Sequence, residues 1–231
     1  APASDTLRAI LLMVLSMAAF ATADSFIKLN SAHLPASQIL TALGLGGTLV
    51  FALLSRSRGI PLFSPRITHP AVLARGVSEI IATCGFLLAL TLLDFSVASA
   101  ILQMAPLLVT MGAALFLGES VSWRRWSAVC TGFFGVLIIL NPLGSTANLL
   151  TANPTGAILA IVGVAGLAGR DLSTRFIPRD VPNLLAATWG FATVIIAGLI
   201  LVPFGPAWTW PSPTAWAFLL GLVAFACVGY F

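Results

Sequence analysis

Charged side chains are scarce in this chain of 231 residues, since they make up 8% of it while hydrophobic residues make up 59%. Ordinary soluble domains carry roughly 25% charged and 45–50% apolar residues. So few polar side chains cannot cover the surface of a soluble globule of this length. The scarcity excludes a soluble enzyme or a nucleic-acid-binding protein, and the high hydrophobicity excludes a disordered chain. The sequence therefore predicts an integral membrane protein.

Cysteine and histidine are also sparse. Cys84, Cys130 and Cys227 lie inside apolar runs without Cys-x-x-Cys spacing, so they predict neither a disulfide framework nor a metal site. Both histidines, His33 and His69, lie outside the apolar runs. The sequence shows no catalytic triad, metal-ligand cluster or phosphate-binding loop. We therefore expect no cofactor and no enzymatic activity.

The apolar residues occur in long runs that do not alternate with polar ones. A transmembrane β-strand alternates over about 10 residues, whereas a spanning helix needs about 20 mostly apolar residues in a row. The chain is therefore predicted to be an all-α polytopic membrane protein with about eight spans, several of which start at or just after a proline. The predicted spans are 7–29, 36–54, 70–91, 96–117, 123–140, 154–176, 183–203 and 213–231.

Lysine and arginine in the connecting segments predict the orientation of the spans. Cytoplasmic loops of membrane proteins carry an excess of these residues. Most of the cations flank the N-terminus and every second loop, whereas the loops between lack them, so we expect a cytoplasmic N-terminus. The cations on that side are Arg8, Arg56, Arg58, Arg66, Arg124, Arg125, Arg175 and Arg179.

Two parts of the sequence resemble each other at a nearly constant offset. Charged residues are so rare here that a repeated pair of charges is unlikely to arise by chance. At a nearby offset of 144, the Gly-Phe pair of the third span falls on the Gly-Tyr pair of the eighth. At an offset of 147, the first span falls on the sixth. The pairs of similar residues are Asp24 and Asp171, Lys28 and Arg175, and Pro35 and Pro182.

This offset predicts an inverted repeat. The first unit, 6–142, holds five spans, and an odd number of spans inverts the unit that follows it. The second unit, 153–231, holds three spans. On this interpretation the sequence is an incomplete chain that lacks two final spans of a ten-helix protein.

The first span contains a charged turn that topology does not explain. Ionisable groups inside a bilayer are costly and normally face a partner or a water-filled cavity. Asp24 and Lys28 are one helical turn apart, so they share a face, which we expect Met17, Phe20 and Ala21 to continue. They are candidate substrate-binding residues or gate residues; the alternative is an internally paired turn whose lysine reaches the interface.

The third and sixth spans carry further candidate substrate-binding charges. Arg75 and Glu79 have the spacing of an i,i+4 pair, and Glu79 is the most deeply placed carboxylate. Asp171, beside Arg170 and Arg175, repeats the charged turn of the first span. A structural ion pair that holds the third span to a neighbour is the alternative for Glu79. A proton-coupled role for Glu79 or Asp24 also remains open.

Two uncharged residues complete the candidate substrate-binding set. Gln103 and Pro106 predict an interrupted, partly polar fourth span, because proline removes a backbone hydrogen bond and frees a carbonyl. Trp189 could stack on an aromatic or cationic ligand, or could serve packing alone. Gly163, Gly166 and other small residues would permit close helix packing.

Three segments resemble the EamA family of the drug/metabolite transporter superfamily. They are Ala89–Leu107, with Leu-Asp-Phe-Ser-Val-Ala and Gln-Met-Ala-Pro-Leu; Leu117-Gly118-Glu119; and Arg124–Val136. Asp24-Ser25-Phe26-Ile27-Lys28 is similar to a variant found in many members. The Trp-Gly/Ser signature of other members is absent, since Ala23-Asp24 occupies that region, which argues against simple assignment as an amino-acid exporter.

The resemblance implies a ten-helix fold of two inverted five-helix units in the bacterial inner membrane, with a small-molecule substrate bound near the midplane. We expect a secondary transporter of a small polar organic metabolite, such as an amino acid, that works by alternating access as a monomer or homodimer. A carrier for uptake of S-adenosylmethionine or riboflavin is one alternative. A membrane-embedded enzyme or lipid-handling protein is the alternative from another class.

Overall fold

The computed structural model describes residues 3–102, 104–118, 122–124, 126–127, 130–131, 134, 154–178 and 180–230. Within these ranges the chain forms helices and no strands, as the sequence predicts. The described residues between 123 and 134 are helical and fall on the predicted fifth span. The helices with described bounds are α1 (Ala3–Ser31), α2 (Ala36–Ser57), α3 (Pro70–Leu90), α4 (Phe95–Leu102), α5 (Ala105–Phe116), α6 (Pro154–Arg175), α7 (Asn183–Ile200) and α8 (Pro213–Gly229).

Prolines and capping side chains explain where the helices begin. The predicted prolines are the first residue of α3, α6 and α8 and the N-cap residue of α2 and α7, where a missing N–H leaves no partner unsatisfied. The Ser212 hydroxyl accepts a hydrogen bond from the Ala215 N–H at 3.2 Å, and His69 Nδ1 accepts one from the Ala71 N–H at 3.2 Å. These bonds satisfy N–H groups of the first turn.

The end of α2 is closed by a glycine in the left-handed conformation. Gly59 has a φ of 70°. Its N–H donates to the Arg56 carbonyl at 3.1 Å, and the Ile60 N–H donates to the Ser55 carbonyl at 2.9 Å. These two bonds form a Schellman motif, which terminates the helix and satisfies two of its last carbonyls.

The fourth predicted span consists of two helices in the structure. Helix α4 ends at Leu102, and α5 begins at Ala105 with Pro106 in its first turn. Met104 lies in a turn between them, and its N–H donates to the Ile101 carbonyl at 3.0 Å. Gln103 lies between these helices and outside the described residues, so the interruption predicted there stays a prediction.

The chain has the helices of a multi-pass membrane protein. Five described helical segments of 18 to 22 residues, in α1, α2, α3, α6 and α7, are long and apolar enough to cross a bilayer. Large apolar side chains on their outer faces are exposed, for example Met13 at 66% and Leu49 at 62%. Such exposure suits contact with lipid.

The structure divides into two compact units, of which the first contains Ala1–Ser64 and Asp180–Phe231. In this unit α1 packs on α8 and α2 packs on α7. Its core includes Phe51, Phe191 and Leu222, all nearly inaccessible to solvent. The rings of Phe51 and Phe191 stack with centroids 5.5 Å apart, and Tyr230 contacts both.

The irregular segment before α8 is attached to the start of α2. The Gln38 amide donates to the Thr209 carbonyl at 2.7 Å and accepts from the Thr209 N–H at 3.1 Å. The Trp208 indole donates to the Ser37 hydroxyl at 3.1 Å. These bonds fix the irregular segment before α8 to the first turn of α2.

The second unit contains Pro65–Arg179, and its main contact is between α3 and α6. A Cβ added to Gly163 would lie 2.7 Å from the Phe86 nitrogen, and one added to Gly166 would lie 2.5 Å from the Ala82 nitrogen. The two helix backbones therefore touch, which confirms the close packing predicted from these glycines.

Candidate functional site

The charged turn of α1 lies on an exposed stripe in the first unit. Met17, Ala21, Asp24 and Lys28 are all exposed and follow one another at helical spacing. The predicted continuation through Phe20 is wrong, because its ring faces the other way. It contacts the Gly229 backbone and meets the Tyr230 ring edge-on, with centroids 5.5 Å apart.

Asp24 and Lys28 are not paired with each other. Among the described residues, neither side chain has a partner of opposite charge within 4.0 Å. The interpretation of this turn as an internally satisfied ion pair is therefore wrong for this structure. Both charged side chains are exposed, and the hydroxyl of the neighbouring Ser25 donates to the Ala21 carbonyl of its own helix.

The second candidate site lies between α3 and α6 in the second unit. A Cβ added to Gly169 would lie 2.9 Å from the Ser78 hydroxyl. Because α3 and α6 approach so closely here, the residues that follow Ser78 and Gly169 also lie near the opposite helix. These residues are Glu79 and Arg170. Arg170 Nη1 is 3.5 Å from Glu79 Oε2, and the Glu79 side chain is 12% exposed.

Arg170 also binds the next residue on its own helix. Its Nη2 lies 2.9 Å from Asp171 Oδ1, and its Nε donates to the same oxygen at 3.0 Å. One guanidinium group therefore bridges the carboxylates of Glu79 and Asp171. This geometry corresponds to the structural alternative for Glu79, an ion pair that holds α3 to a neighbouring helix.

The predicted i,i+4 pair of Arg75 with Glu79 is wrong. The Arg75 Nε instead donates to the Thr174 hydroxyl at 3.2 Å, and that hydroxyl donates to the Arg170 carbonyl at 2.8 Å. Arg75 therefore reaches across to α6 rather than along α3. Two arginines now join these helices, one through a carboxylate and one through a hydroxyl.

Trp189 lies in a packing position of the first unit. Its indole N–H donates to the Leu62 carbonyl at 3.1 Å, and its ring meets Phe63 edge-on with centroids 5.9 Å apart. The hydrogen bond and the ring contact both fix the segment that follows α2. This arrangement favours the packing role among the two that the sequence left open.

Arg170 and Thr174 are the participants that sequence reasoning missed, since Arg170 entered it only as a neighbour of Asp171. The available signal was the glycine spacing at 163, 166 and 169, which predicts a face of α6 in backbone contact with another helix. Arg170 directly follows that row. The described part of the chain contains no group of three or more His, Cys, Asp or Glu residues arranged to hold a metal ion.

The described part of the chain thus combines apolar spans, an exposed charged turn without an ion-pair partner, and a charged contact between two helices. Residues 7–141 match the model of the EamA-like transporter family. The chain belongs to this family, as its resemblance in the third to fifth spans predicted.

Two curated relatives are named as transporters. The chain is 33% identical over 128 residues to a riboflavin transporter of Vibrio cholerae, an alignment that covers 53% of this chain and 39% of the relative. It is 30% identical over 195 residues to the pseudopaline exporter CntI of Pseudomonas aeruginosa, covering 84% of this chain and 65% of the relative. The chain thus spans less than two thirds of the length of either relative.

A solved crystal structure has the same fold. It superposes with a TM-score of 0.74 at 20% sequence identity and covers 95% of this chain and 76% of the other. The helices of this chain are therefore arranged as in that solved structure. The chain is a multi-pass membrane protein of a transporter family.

Proposed function

We propose that this protein is a secondary transporter of the bacterial inner membrane that carries a small polar organic metabolite with both a positive and a negative group. The observation that carries this proposal is the exposed, unpaired turn of Asp24 and Lys28. At the matching turn of α6, Asp171 already binds Arg170 at 2.9 Å. The residue that matches Arg170 in α1 is the buried Ala23, so Asp24 lacks such a neighbour.

The spacing of the two charges suits an amino acid or a related compound. Residues four apart on a helix lie one turn, about 5–6 Å, from each other. Asp24 would bind the cationic group of the substrate, and Lys28 would bind its carboxylate. Unpaired charges within a membrane span need such a partner or water, because hydrocarbon does not solvate them.

The charged contact of the second unit would serve as a gate or as a second part of the substrate path. Arg75, Glu79 and Asp171 would act there together with Arg170, and Gln103 keeps its predicted role in the substrate path. An ion pair between two helices is suited to gating, because it breaks when the helices move apart and forms again when they return. In this proposal Trp189 has no direct contact with substrate.

Two inverted units, 6–142 and 153–231, would provide alternating access, with the N-terminus in the cytoplasm. Equivalent contacts in the two compact units support this proposal. Gly85 packs against Gly163 between α3 and α6. Gly229 and Ser16, which match them at offsets of 144 and 147, are joined by a hydrogen bond from the Ser16 hydroxyl. Each contact therefore joins one residue of the first repeat to one residue of the second.

Riboflavin is a second candidate substrate, because a relative named as a riboflavin transporter is 33% identical over 128 residues. Riboflavin carries no ionic group that would need both Asp24 and Lys28. The two candidates therefore differ in how strongly transport depends on this turn.

Transport by the full-length protein in proteoliposomes tests the proposal. The probes are a radiolabelled mixture of protein amino acids and, separately, riboflavin, with protein-free liposomes as the control. We expect amino-acid flux that unlabelled zwitterions inhibit and that amines or N-acetylated analogues inhibit weakly. Riboflavin flux alone would support the second candidate. Turnover of lipid headgroups without solute flux would contradict both.

Substitutions in the charged turn provide the matched comparison. Asp24→Asn and Lys28→Gln should each abolish amino-acid flux, because each leaves one substrate charge without its partner. Met17→Leu lies on the same exposed stripe and should leave flux intact. Full flux in both charge variants would show that this turn does not bind the substrate.

A further inference from the structure

The outward face of α2 carries a row of exposed leucines. Leu45, Leu49 and Leu53 are spaced four residues apart, so they share one face of the helix, and each is more than half exposed. The opposite face is buried in the core of the first unit, where Phe51 lies. Because α2 is long and apolar enough to cross a bilayer, the row of leucines faces acyl chains.

Two arginines follow this row at the end of α2. Arg56 lies in the last turn, three residues after Leu53 and therefore on the same face, and Arg58 is the C-cap residue. Both side chains are exposed. Within the described ranges, neither guanidinium has an ion-pair partner. The outward face of α2 thus passes from apolar side chains to free cations.

The packing of α2 on α7 shows the depth at which these arginines lie. A Cβ on Gly198 would lie 2.8 Å from the Thr41 nitrogen, and one on Gly44 would lie 2.7 Å from the Ile195 nitrogen. The two helices are therefore antiparallel, and their register places the last turn of α2 level with the first turn of α7. Both spans leave the hydrocarbon at this level.

The chain after Arg58 folds back toward the hydrocarbon. Trp189 lies in the second turn of α7, and its indole N–H donates to the Leu62 carbonyl at 3.1 Å. Phe63 meets the Trp189 ring edge-on and is 82% exposed. An exposed aromatic ring held at this depth suits the boundary between headgroups and acyl chains. The end of α2, where the arginines lie, is therefore at the level of the lipid phosphates.

The opposite end of the first unit is uncharged. The segment 201–212, between α7 and α8, exposes Phe204, Trp208 and Trp210 and contains no Lys or Arg. Aromatic side chains at an interface suit phospholipids of any headgroup. Arginine adds attraction to negative charge and a planar set of donors that matches phosphate oxygens. The two ends of the unit therefore differ in the lipid that each would favour.

We propose that the end of α2 is a binding site for an acidic phospholipid of the surrounding leaflet. The guanidinium groups of Arg56 and Arg58 bind the phosphodiester, and an acyl chain lies along Leu53 and Leu49. A zwitterionic lipid adds a cationic headgroup that the two arginines repel. A free phosphate ion lacks the chain that contacts the leucines. The site does not depend on which solute the protein carries.

Native mass spectrometry of the full-length protein in detergent tests this site. The probes are dioleoyl phosphatidylglycerol, dioleoyl phosphatidylcholine at the same concentration, and glycerol phosphate, which has the anionic group without acyl chains. We expect phosphatidylglycerol to be retained in preference to phosphatidylcholine and glycerol phosphate not to be retained. Equal retention of the two lipids would overturn the proposal, and so would retention of glycerol phosphate as strong as that of phosphatidylglycerol.

Substitutions of the arginines show whether these two cations form the site. Arg56→Gln with Arg58→Gln should weaken phosphatidylglycerol binding about tenfold or more, because each cation near a membrane surface strengthens the attraction several-fold. Arg56→Lys with Arg58→Lys keeps both charges and should lose less. The matched single variants are Arg56→Gln and Arg124→Gln, and Arg124 is an exposed cation outside the first unit. Equal losses in these two would indicate a diffuse attraction to the membrane and overturn the proposal.

Photochemical cross-linking locates the lipid while both arginines are intact. A benzophenone amino acid takes the place of Leu53 in the full-length protein, in vesicles of phosphatidylcholine with a minor fraction of phosphatidylglycerol. We expect it to capture phosphatidylglycerol in excess of its share of the vesicle. The same residue in place of Leu115, exposed on α5, should capture the two lipids in the proportion of the vesicle. That proportion at both positions would overturn the proposal.

Discussion

Arg170 of α6 joins Glu79 of α3 to Asp171 with a single guanidinium group. Its two terminal nitrogens lie 3.5 Å from Glu79 Oε2 and 2.9 Å from Asp171 Oδ1. The guanidinium presents several donors in one plane, which lets it serve both carboxylates at once. This cation thus compensates two negative groups within one contact between helices.

Arg170→Gln should destabilise the protein more than Glu79→Gln does. Loss of the arginine leaves the carboxylate of Glu79 at 12% exposure without its partner. We expect Arg170→Gln to lower the free energy of unfolding by about 2–3 kcal/mol. This is near or below the lower limit for breaking a buried ion pair, because the Asp171 carboxylate is partly solvated. Thermal unfolding of the purified protein in detergent measures the difference.

The double variant Arg170→Gln with Glu79→Gln is the control for that experiment. It removes the cation together with one of the carboxylates, so no unpaired Glu79 charge is left. The double variant should therefore lose less stability than the two single variants added together, by about 1 kcal/mol or more. Additive losses in the two single variants would show that Arg170 and Glu79 do not interact energetically.

Gly163→Val should separate α3 from α6. Its side chain would collide with the Phe86 nitrogen, 2.7 Å from the added Cβ. Overpacking of this kind costs about 1–3 kcal/mol, and the displacement should also weaken the Arg170–Glu79 contact. Ala165→Val is the matched control, since it adds bulk at an exposed position of the same helix. Equal unfolding temperatures for the two variants would contradict the close backbone contact.

Gly59→Ala should lower stability through its backbone conformation alone. The φ of 70° disfavours any residue with a Cβ, although an added Cβ would meet nothing within 4 Å. We expect a loss of about 1 kcal/mol, and a smaller loss for Gly59→Asn because asparagine tolerates this conformation better. The unfolding temperatures should therefore follow the order glycine, asparagine, alanine.

Trp189→Phe should loosen the segment after α2 without affecting transport. The substitution removes the hydrogen bond to the Leu62 carbonyl, worth about 1 kcal/mol, and leaves an aromatic ring beside Phe63. Tryptic cleavage after Arg58 should become faster in detergent, whereas amino-acid flux should stay at the level of the unchanged protein. A selective loss of flux with unchanged proteolysis would restore Trp189 as a substrate-binding residue.

Most of the fold follows from short-range rules. Runs of apolar residues long enough to span a bilayer, with prolines at their starts, predicted the start of α2, α3, α6, α7 and α8 at the observed residue. Such rules work here because each span must satisfy its own backbone hydrogen bonds within lipid. The choice of helix partners depends on contacts between distant segments, which hydropathy does not encode.

The candidate site was only partly predictable, because some of its contacts also join segments that are distant in sequence. Sequence spacing correctly placed Asp24 and Lys28 on one exposed stripe. It wrongly paired Arg75 with Glu79, because spacing along a helix identifies only partners on that helix. The true partner of Glu79 is 91 positions away in sequence, on α6, and close approach through the glycine face brings it within reach.

The side-chain amide of Gln38 makes the same two hydrogen bonds to Thr209 that a neighbouring β-strand residue would make. It donates to the Thr209 carbonyl and accepts from the Thr209 N–H. The Thr209 amide proton is therefore held by a side chain of α2, although it belongs to an exposed segment without regular structure. Its exchange with deuterated solvent should be slowed to the opening rate of the first turn of α2 rather than to that of a free loop. We therefore expect the segment before α8 to open and close together with the first turn of α2.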